Sequence, residues 1–546
     1  MRLVALLLII SAWSLDAQRQ LGLIQNSDAS LNGYTLWSAG QGAYLIDNCG
    51  GEVNRWESTR FPGQSCYLLE NGHLLRPGLV NGSFNAGGTG GIIEEYDWDG
   101  NLVWSLRLAN DTIHQHHDIE PLPNGNVMAV LWELRTTEEA EAAGAENPTI
   151  YWSPLILEIE PIGADEAEIV WEWRMWDHLV QDHDDTKENH GVVADHPELM
   201  NLNYRAPTGN PNQPGRVSDW IHINAIDYDP INDEILINSR HMDEFYIIDH
   251  STTTEEAASH EGGRSGRGGD LLYRWGNPEA YDKAGPRRLY GQHDAKFVTA
   301  GHPYDGSISV FNNGENRPEG NFSTVDVITP PRDAEGRYLL GADGSYGPEE
   351  LTWTYEAANP TDLFSRNISG AEVLSNGNVM ICEGSTGRFF EVNQTGETLW
   401  EYNNPVARTG PLTQGSNGNV AAFRAERYEP DHPAFDDRIL TPGDPIELEP
   451  LDYTCVINDG STSTDEIHSA LTATLNLQGD RLYLGLNETG TYDLRIYDQT
   501  GRLALTQQTS SLTTILDIST LATGIHAMHI LRRDGQAHAG IQFFKS

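Results

Sequence analysis

The stretch DWIHINAIDYDPINDEILINSRH, Asp219 to His241, sets a histidine and an arginine on the two arms of what reads as one hairpin. His222 opens the first arm and Arg240 ends the second. One such pair is ordinary. It gains weight from two other segments, HQHHDIEPL with His114, His116 and His117, and GQHDAKF with His293. Two chemistries suit such a set. Three imidazoles can hold Zn²⁺ and leave one position open, with Asp118 and Asp294 as carboxylates behind them. Alternatively, one imidazole attacks an anionic group while Arg240 and the other histidines neutralise its charge. Arg240 would repel a metal cation, which favours the second chemistry.

Both readings require that distant histidines share one position in a repeat. Two hairpin patterns alternate along the chain. The first ends near a tryptophan, at Trp56, Trp104, Trp171, Trp275, Trp353 and Trp400. The second is built on a turn, as in DIEPLPNGNVMAVLW, AIDYDPINDEILINS and AEVLSNGNVMICEG, and it too occurs six times, the last time as PLTQGSNGNVAAFR. Asn-Gly and Asp-Gly between apolar runs mark hairpins, because Asn and Gly tolerate positive φ. Twelve hairpins make six four-stranded sheets, and radial repetition of such sheets is a six-bladed β-propeller. If each blade is a turn hairpin followed by a Trp hairpin, the first Trp hairpin completes the last blade. Chain ends then meet in one sheet and no edge stays open. The first strand of each blade lines the channel, and His117, His222 and His293 stand where three successive first strands begin.

Composition bounds the partners. The 546 residues carry 80 acidic and 34 basic side chains, a formal charge of −46. That excludes nucleic acid, whose phosphates need basic surface, and an anionic membrane surface. It also means that an anionic substrate needs local positive charge at its site. Residues 1–17 read as a secretory leader, with Arg2, the apolar run LVALLLIISAW and a small residue, Ala17. No run is long enough to span a bilayer, so a secreted or cell-surface location, reached through the periplasm, is expected. The four cysteines fit no zinc spacing, and a Cys49–Cys66 disulfide is one expectation against four separate thiols.

HHDIEPLPNGN, DWIHINAIDYDPINDEILINSRH, GQHDAKF and GRFFEVNQTGETLWEY, spread over about Gly40 to Tyr428, resemble the bacterial arylsulfate sulfotransferase family. The resemblance implies a six-bladed propeller. It also implies transfer of a sulfuryl group from an aryl sulfate to a phenol, without adenylyl sulfate or other cofactor, through a sulfohistidine. Carried over by motif, it makes His293 the nucleophile and sets His222 and Arg240 on the sulfuryl oxygens. His117 falls on the bridging oxygen, with His116 as the alternative. Such transfer is mostly positioning and stabilisation of charge on equatorial oxygens, for which an arginine fork is suited. Trp176, Tyr204, Trp220 and Phe297 are candidates for aryl stacking, with propeller packing as the favoured reading of each.

Past residue 445 the texture changes. The expected division is a propeller over 30–445, a linker over 446–469 and a small β-sandwich over 470–546. GTYDLRIYDQTGRLAL, LDISTLATGIHAMHI and the terminal FFKS resemble the sorting domain of type IX secretion, which implies that secretion machinery as a partner. Two alternatives to a sulfotransferase stand: a secreted propeller that binds a ligand or glycan without catalysis, and a metal-dependent hydrolase using the same histidines.

Overall fold

The computed structural model describes residues 20–209, 217–436, 438–457, 473–478, 481–486, 490–498, 503–532 and 538–545. The leader expected at 1–17 and the linker stretch 458–469 lie outside the described residues. The chain folds as two units that divide after Ile457.

The first unit is a six-bladed propeller, as the hairpin count predicts. From the inside outward, blade 2 runs Tyr67–Leu68, Leu74–Leu79, Gly91–Tyr96 and Leu102–Arg107. Blade 3 runs Ile113–Pro121, Val127–Arg135, Tyr151–Ile162 and Glu166–Arg174. Blade 4 runs Ile223–Asp229, Glu234–Ser239, Glu244–Asp249 and Tyr273–Trp275. Blade 5 runs His293–Phe297, Ile308–Asn312, Thr324–Ile328 and Trp353–Tyr355. Blade 6 runs Gly370–Val373, Val379–Glu383, Arg388–Val392 and Thr398–Asn403, with Gly22–Asn26 added outside.

Blade 1 closes the ring, and here the expected hairpin division is corrected. Its inner strand is Ala425–Tyr428 from the C-terminal side, and the N-terminal side supplies the other three: Tyr34–Ala39, Gly42–Asp47 and Glu52–Glu57. PLTQGSNGNVAAFR is therefore not a blade hairpin; its first residue, Pro411, pairs with Val406, and Thr413 bridges to Leu448. In blades 4 and 5 the third strand also lies earlier than the Trp patterns suggest, because turn-rich insertions separate it from the tryptophan strand.

The repeating tryptophans have one job. Each indole N–H reaches the next blade: Trp56 donates to the carbonyl of Asp97, Trp104 to Glu166 and Trp400 to Asn48, at 2.8–3.0 Å. Trp171 donates to Thr252 Oγ1, Trp275 to the carbonyl of Pro348 and Trp353 to Gln394, at 3.0–3.1 Å. A large apolar body with one donor at its tip is suited to such a joint.

The disulfide expectation is also corrected. Cys49 bonds to Cys455, with Cα atoms 5.7 Å apart and 406 residues between them, while Cys66 and Cys382 are buried thiols. Cys49 sits in a turn of blade 1, so the bond ties the tail behind the closing strand to the first blade.

Arg424, just before that closing strand, joins three other blades. Its guanidinium lies 3.0 Å from Asp118 (blade 3) and 2.7 Å from Asp294 (blade 5), and donates to the Tyr67 hydroxyl (blade 2) at 2.9 Å. All three charged groups are nearly inaccessible.

The second unit, taken alone, has the expected sandwich strands. Ala473–Gln478, Arg481–Leu486 and Thr513–Asp517 form one sheet; Leu503–Thr509, Tyr492–Asp498, Gly524–Arg532 and His538–Lys545 form the other. Leu482, Leu484, Leu494, Ile496, Leu516 and Ile530 are fully buried in its core. Lys545 donates to the carbonyls of Ile518, Ser519 and Leu521 at 2.7–3.0 Å.

Arg424→Gln strands two buried carboxylates. Unfolding by urea, followed by tryptophan fluorescence, is expected to show a loss of about 3–5 kcal/mol; an unchanged midpoint would remove Arg424 from the account of closure.

Candidate functional site

The inner strands of blades 3, 4 and 5 each carry a distortion at or beside a histidine. His117, His222 and Asp294 hold φ of 54°, 56° and 55°, and the pairing of each strand with its neighbour slips at that point. A left-handed residue that is not glycine is costly. It is held by polar anchors one or two residues away. Asp118 accepts from Tyr67 and from the Ile226 N–H. Asn224 donates to the Gln292 carbonyl and accepts from Asn238. Asp294 itself accepts from the Ala371 N–H.

The predicted residues come together. The rings of His117 and His222 are 4.5 Å apart. The Arg240 N–H donates to the His222 carbonyl at 3.1 Å, so the hairpin does return Arg240 to the end at which His222 sits. Burial, followed by the charge of Arg240, holds the His293 imidazole well below its ordinary range; His222 adds to this. The same holds for His117, through burial and then His222, His116, His293 and Arg240.

His116 and His117 have different places. The His116 ring stacks on Trp132 at 3.9 Å and is inaccessible. His117 faces His222 and rests against Gly88, where a Cβ would come within 2.0 Å of the ring. Only glycine fits there. The two Nδ1 atoms lie 2.8 Å apart, so one ring donates to the other.

Four groups that the sequence reading did not single out complete the geometry. Asp219, delivered by the short strand Val217–Asp219 beside blade 3, accepts from His222 Nδ1 at 2.5 Å and from the Trp132 indole at 3.1 Å. Burial works to raise its carboxyl, but His222 holds it well below the usual carboxylate range. Glu315 accepts from Arg240 at 2.7 Å and from Arg366 at 2.6 Å, which orients the Arg240 fork. His241 sits 4.7 Å from His222, and burial, then His222, pushes it down to about 3.

The fourth is Asn313. Its amide nitrogen donates to the carbonyls of Ser365 and Ile368, at 2.7 and 3.0 Å. Its oxygen must therefore face His293 Nδ1, 2.8 Å away. An amide oxygen only accepts, so His293 carries its proton on Nδ1 and its lone pair on Nε2. That lone pair accepts the Ile368 N–H at 3.2 Å.

Two groups among the described residues have metal-ligand spacing. Asp219, His222 and His241 include one of the predicted histidines, and His222 spends Nδ1 on Asp219. His178 lies in the insertion that follows blade 3, and His260 and Asp270 lie between the third and fourth strands of blade 4. His178 meets acceptors on both nitrogens, Asp270 at 2.9 Å and the Ala257 carbonyl at 2.8 Å, so neither is left to bind an ion. The aryl-stacking candidates are packing residues. Trp220 is fully buried against Tyr151 and Trp176; Tyr204 packs on the same core and Phe297 on its neighbour.

Residues 31–407 match the family described as arylsulfotransferase (ASST). The chain belongs to this family. No curated protein matches it. Among solved structures, it is similar to a protein of unknown function from Bacteroides caccae, at 11% identity over 73% of this chain and 100% of that one, TM-score 0.37. A periplasmic gluconolactonase from Pseudomonas aeruginosa gives 11% identity over 68% and 96%, TM-score 0.33. A virginiamycin B lyase from Staphylococcus aureus gives 9% over 86% and 96%, TM-score 0.30. At these scores the three likenesses carry no argument.

For an arylsulfotransferase, the local charge matters most. A cavity of about 420 Å³ adjoins His117 through Gly88 and Phe423, whose ring lies 6.2 Å from that of His117. Its lining holds no aspartate or glutamate and one arginine, Arg408. Other clefts differ: that of about 810 Å³, between the insertion after blade 3 and blade 4, is lined by Asp177, Glu188, Glu198 and Asp270.

Selective ¹⁵N-histidine labelling tests the assigned tautomer. His293 is expected to show a protonated Nδ1 and an unprotonated Nε2 at neutral pH, and Asn313→Leu to mix the two forms. A protonated Nε2 in the wild type would overturn the assignment.

Proposed function

We propose that this arylsulfotransferase moves a sulfuryl group from an aryl sulfate to a phenol through a sulfohistidine on His293. The observation that carries this reading is the fixed tautomer of His293, with Nδ1–H clamped by Asn313 and the Nε2 lone pair accepting the Ile368 N–H. Burial and Arg240 keep that imidazole neutral, hence nucleophilic, at neutral pH.

In the first half-reaction Nε2 attacks sulfur and the sulfur–aryl oxygen bond breaks. The phenolate leaves with its electron pair. His222 and Arg240 take the equatorial oxygens. Asp219, bonded to His222 Nδ1, orients that ring toward them. The Ile368 N–H, which points at Nε2 in the resting site, is placed to donate to a sulfuryl oxygen once the new bond forms. His117 is held neutral, so its role is an N–H hydrogen bond to the bridging oxygen rather than full proton donation. In the second half-reaction the acceptor oxygen attacks sulfur, the sulfur–nitrogen bond breaks, and the acceptor's proton ends on the released phenolate. The balance needs no cofactor.

With p-nitrophenyl sulfate, phenol-dependent nitrophenol release is expected, together with a sulfuryl mass adduct on the protein. Both vanish in His293→Asn. Release without acceptor dependence would make the protein a hydrolase, and loss of activity on chelation would move the case to the Asp219, His222 and His241 group. No release across several aryl sulfates would leave a binding propeller.

Arg240→Gln is expected to lower kcat/KM about 10²–10³-fold, the loss of one preorganised anion donor. It carries a second signature. The Arg240 cation disfavours the His293 imidazolium, so removing it raises that pKa. The acid limb of kcat/KM, expected well below pH 6.5 in the wild type, then moves up toward the ordinary histidine value. A limb that stays in place would separate Arg240 from His293.

The C-terminal sandwich is proposed to be a type IX sorting module on a secreted or surface-attached protein. In a host with that machinery, deletion of residues 470–546 is expected to hold the propeller in the periplasm. Export of the truncated chain would reject this role.

A further inference from the structure

The cavity beside His117 says more about the substrate. Its floor is aromatic: Phe84 and Phe423 are buried, and Phe61 lies at one side beneath the Arg408 guanidinium, 3.9 Å from the ring centroid. Phe84 is fixed by its own stacking, 5.0 Å from Trp152 and nearly parallel to Trp132. Uncharged amides, Asn81, Asn85 and Asn419, occupy the outer part of the lining. A volume of about 420 Å³ is within the range of small-molecule sites, and a single substituted benzene ring fits it with room to spare.

Charge makes the cavity selective. The chain has 80 carboxylates, yet none of the residues lining this cavity carries one. Every other large cleft described has at least one: Asp177 and Glu188 in one, Glu234 and Asp249 in another, Asp28 and Glu429 in two more. Arg408 is exposed, and no carboxylate among the described residues lies within ion-pair distance of it. Most arginines near the channel are otherwise engaged: Arg240 and Arg366 with Glu315, and Arg424 with Asp118 and Asp294. Arg408 is thus a cation held over an aromatic wall, at the rim of an acid-free chamber, with its fork available.

We infer that this cavity takes the ring of the phenolic acceptor, and that Arg408 selects phenols bearing a second, anionic group, a carboxylate at the far end of the ring. The inference rests on the proposed sulfuryl transfer, since His117 as partner of the bridging oxygen sets the ring on the Gly88 and Phe423 side. A hydroxyl at the Gly88 and Phe423 end of the cavity, the end next to His117, leaves the opposite end of the ring toward the exposed Arg408. An exposed arginine–carboxylate pair supports a preference of about fivefold. The bidentate geometry that a guanidinium offers a carboxylate sets its orientation.

The test compares 4-hydroxyphenylacetate with its neutral amide. Calorimetric binding needs no turnover; transfer from p-nitrophenyl sulfate is followed in parallel. The wild type is expected to bind the acid about fivefold more tightly than the amide, and to show a similar ratio in kcat/KM. Arg408→Gln brings both ratios to near one, and Arg408→Lys restores part of them. Ala421→Trp, which fills the cavity from its wall, weakens both ligands together. Equal binding of acid and amide by the wild type, or a preference that survives Arg408→Gln, would overturn the inference even if phenol is sulfated. If the preference depends on Arg408 but no sulfuryl transfer is seen with any acceptor, the cavity assignment stands and the transferase reading falls.

Discussion

Six indole N–H groups hold the ring. Each tryptophan at the outer end of a blade donates to the outer turn of the next, and the last, Trp400, returns to Asn48 in the first. Apolar packing between neighbouring sheets is non-directional, so directed bonds are needed to fix the angle between them. A directed donor on a large buried body fixes both spacing and tilt. The channel mouth depends on that spacing: His117, His222 and His293 come from three different blades, and none touches another through its own sheet.

Within that frame, the left-handed kinks set the site apart from a regular strand, which would alternate its side chains between neighbouring blades. One left-handed residue, with a slip in pairing, falls at His117, at His222 and at Asp294, and Asp118 and Asp294 lie buried where Arg424 can reach them. The cost of each kink is offset by the anchor beside it. Structure and site are therefore stabilised by one set of contacts: the arginine that closes the ring also holds the carboxylates behind the histidines.

Much of this was legible in the sequence, and the reasons are physical. Asn-Gly turns and tryptophans recur because every blade solves the same packing problem, so the count of six could be read from the residues. The three histidine segments could be read too, because they share a repeat position. What was missed leaves no local pattern. Asn313 follows an ordinary strand, and its meaning comes from carbonyls of Ser365 and Ile368, more than fifty residues away. Glu315 and Arg424 are single charges whose partners are equally remote. Asp219 stood in the quoted DWIH motif, but its partnership with His222 depends on a short added strand beside blade 3. Cys455 pairs with Cys49 rather than Cys66 with Cys49, since proximity along the chain says little once both ends meet in one blade.

The seam at blade 1 has a consequence for how the protein comes into being. Tyr34–Ala39 waits for Ala425–Tyr428, and Cys49 waits for Cys455. Until nearly the whole propeller segment has been synthesised, the first sheet shows an unpaired apolar edge and the ring cannot shut. The fold is thus indivisible in time as well as in space. A nascent chain therefore stays unclosed until its closing strand is available.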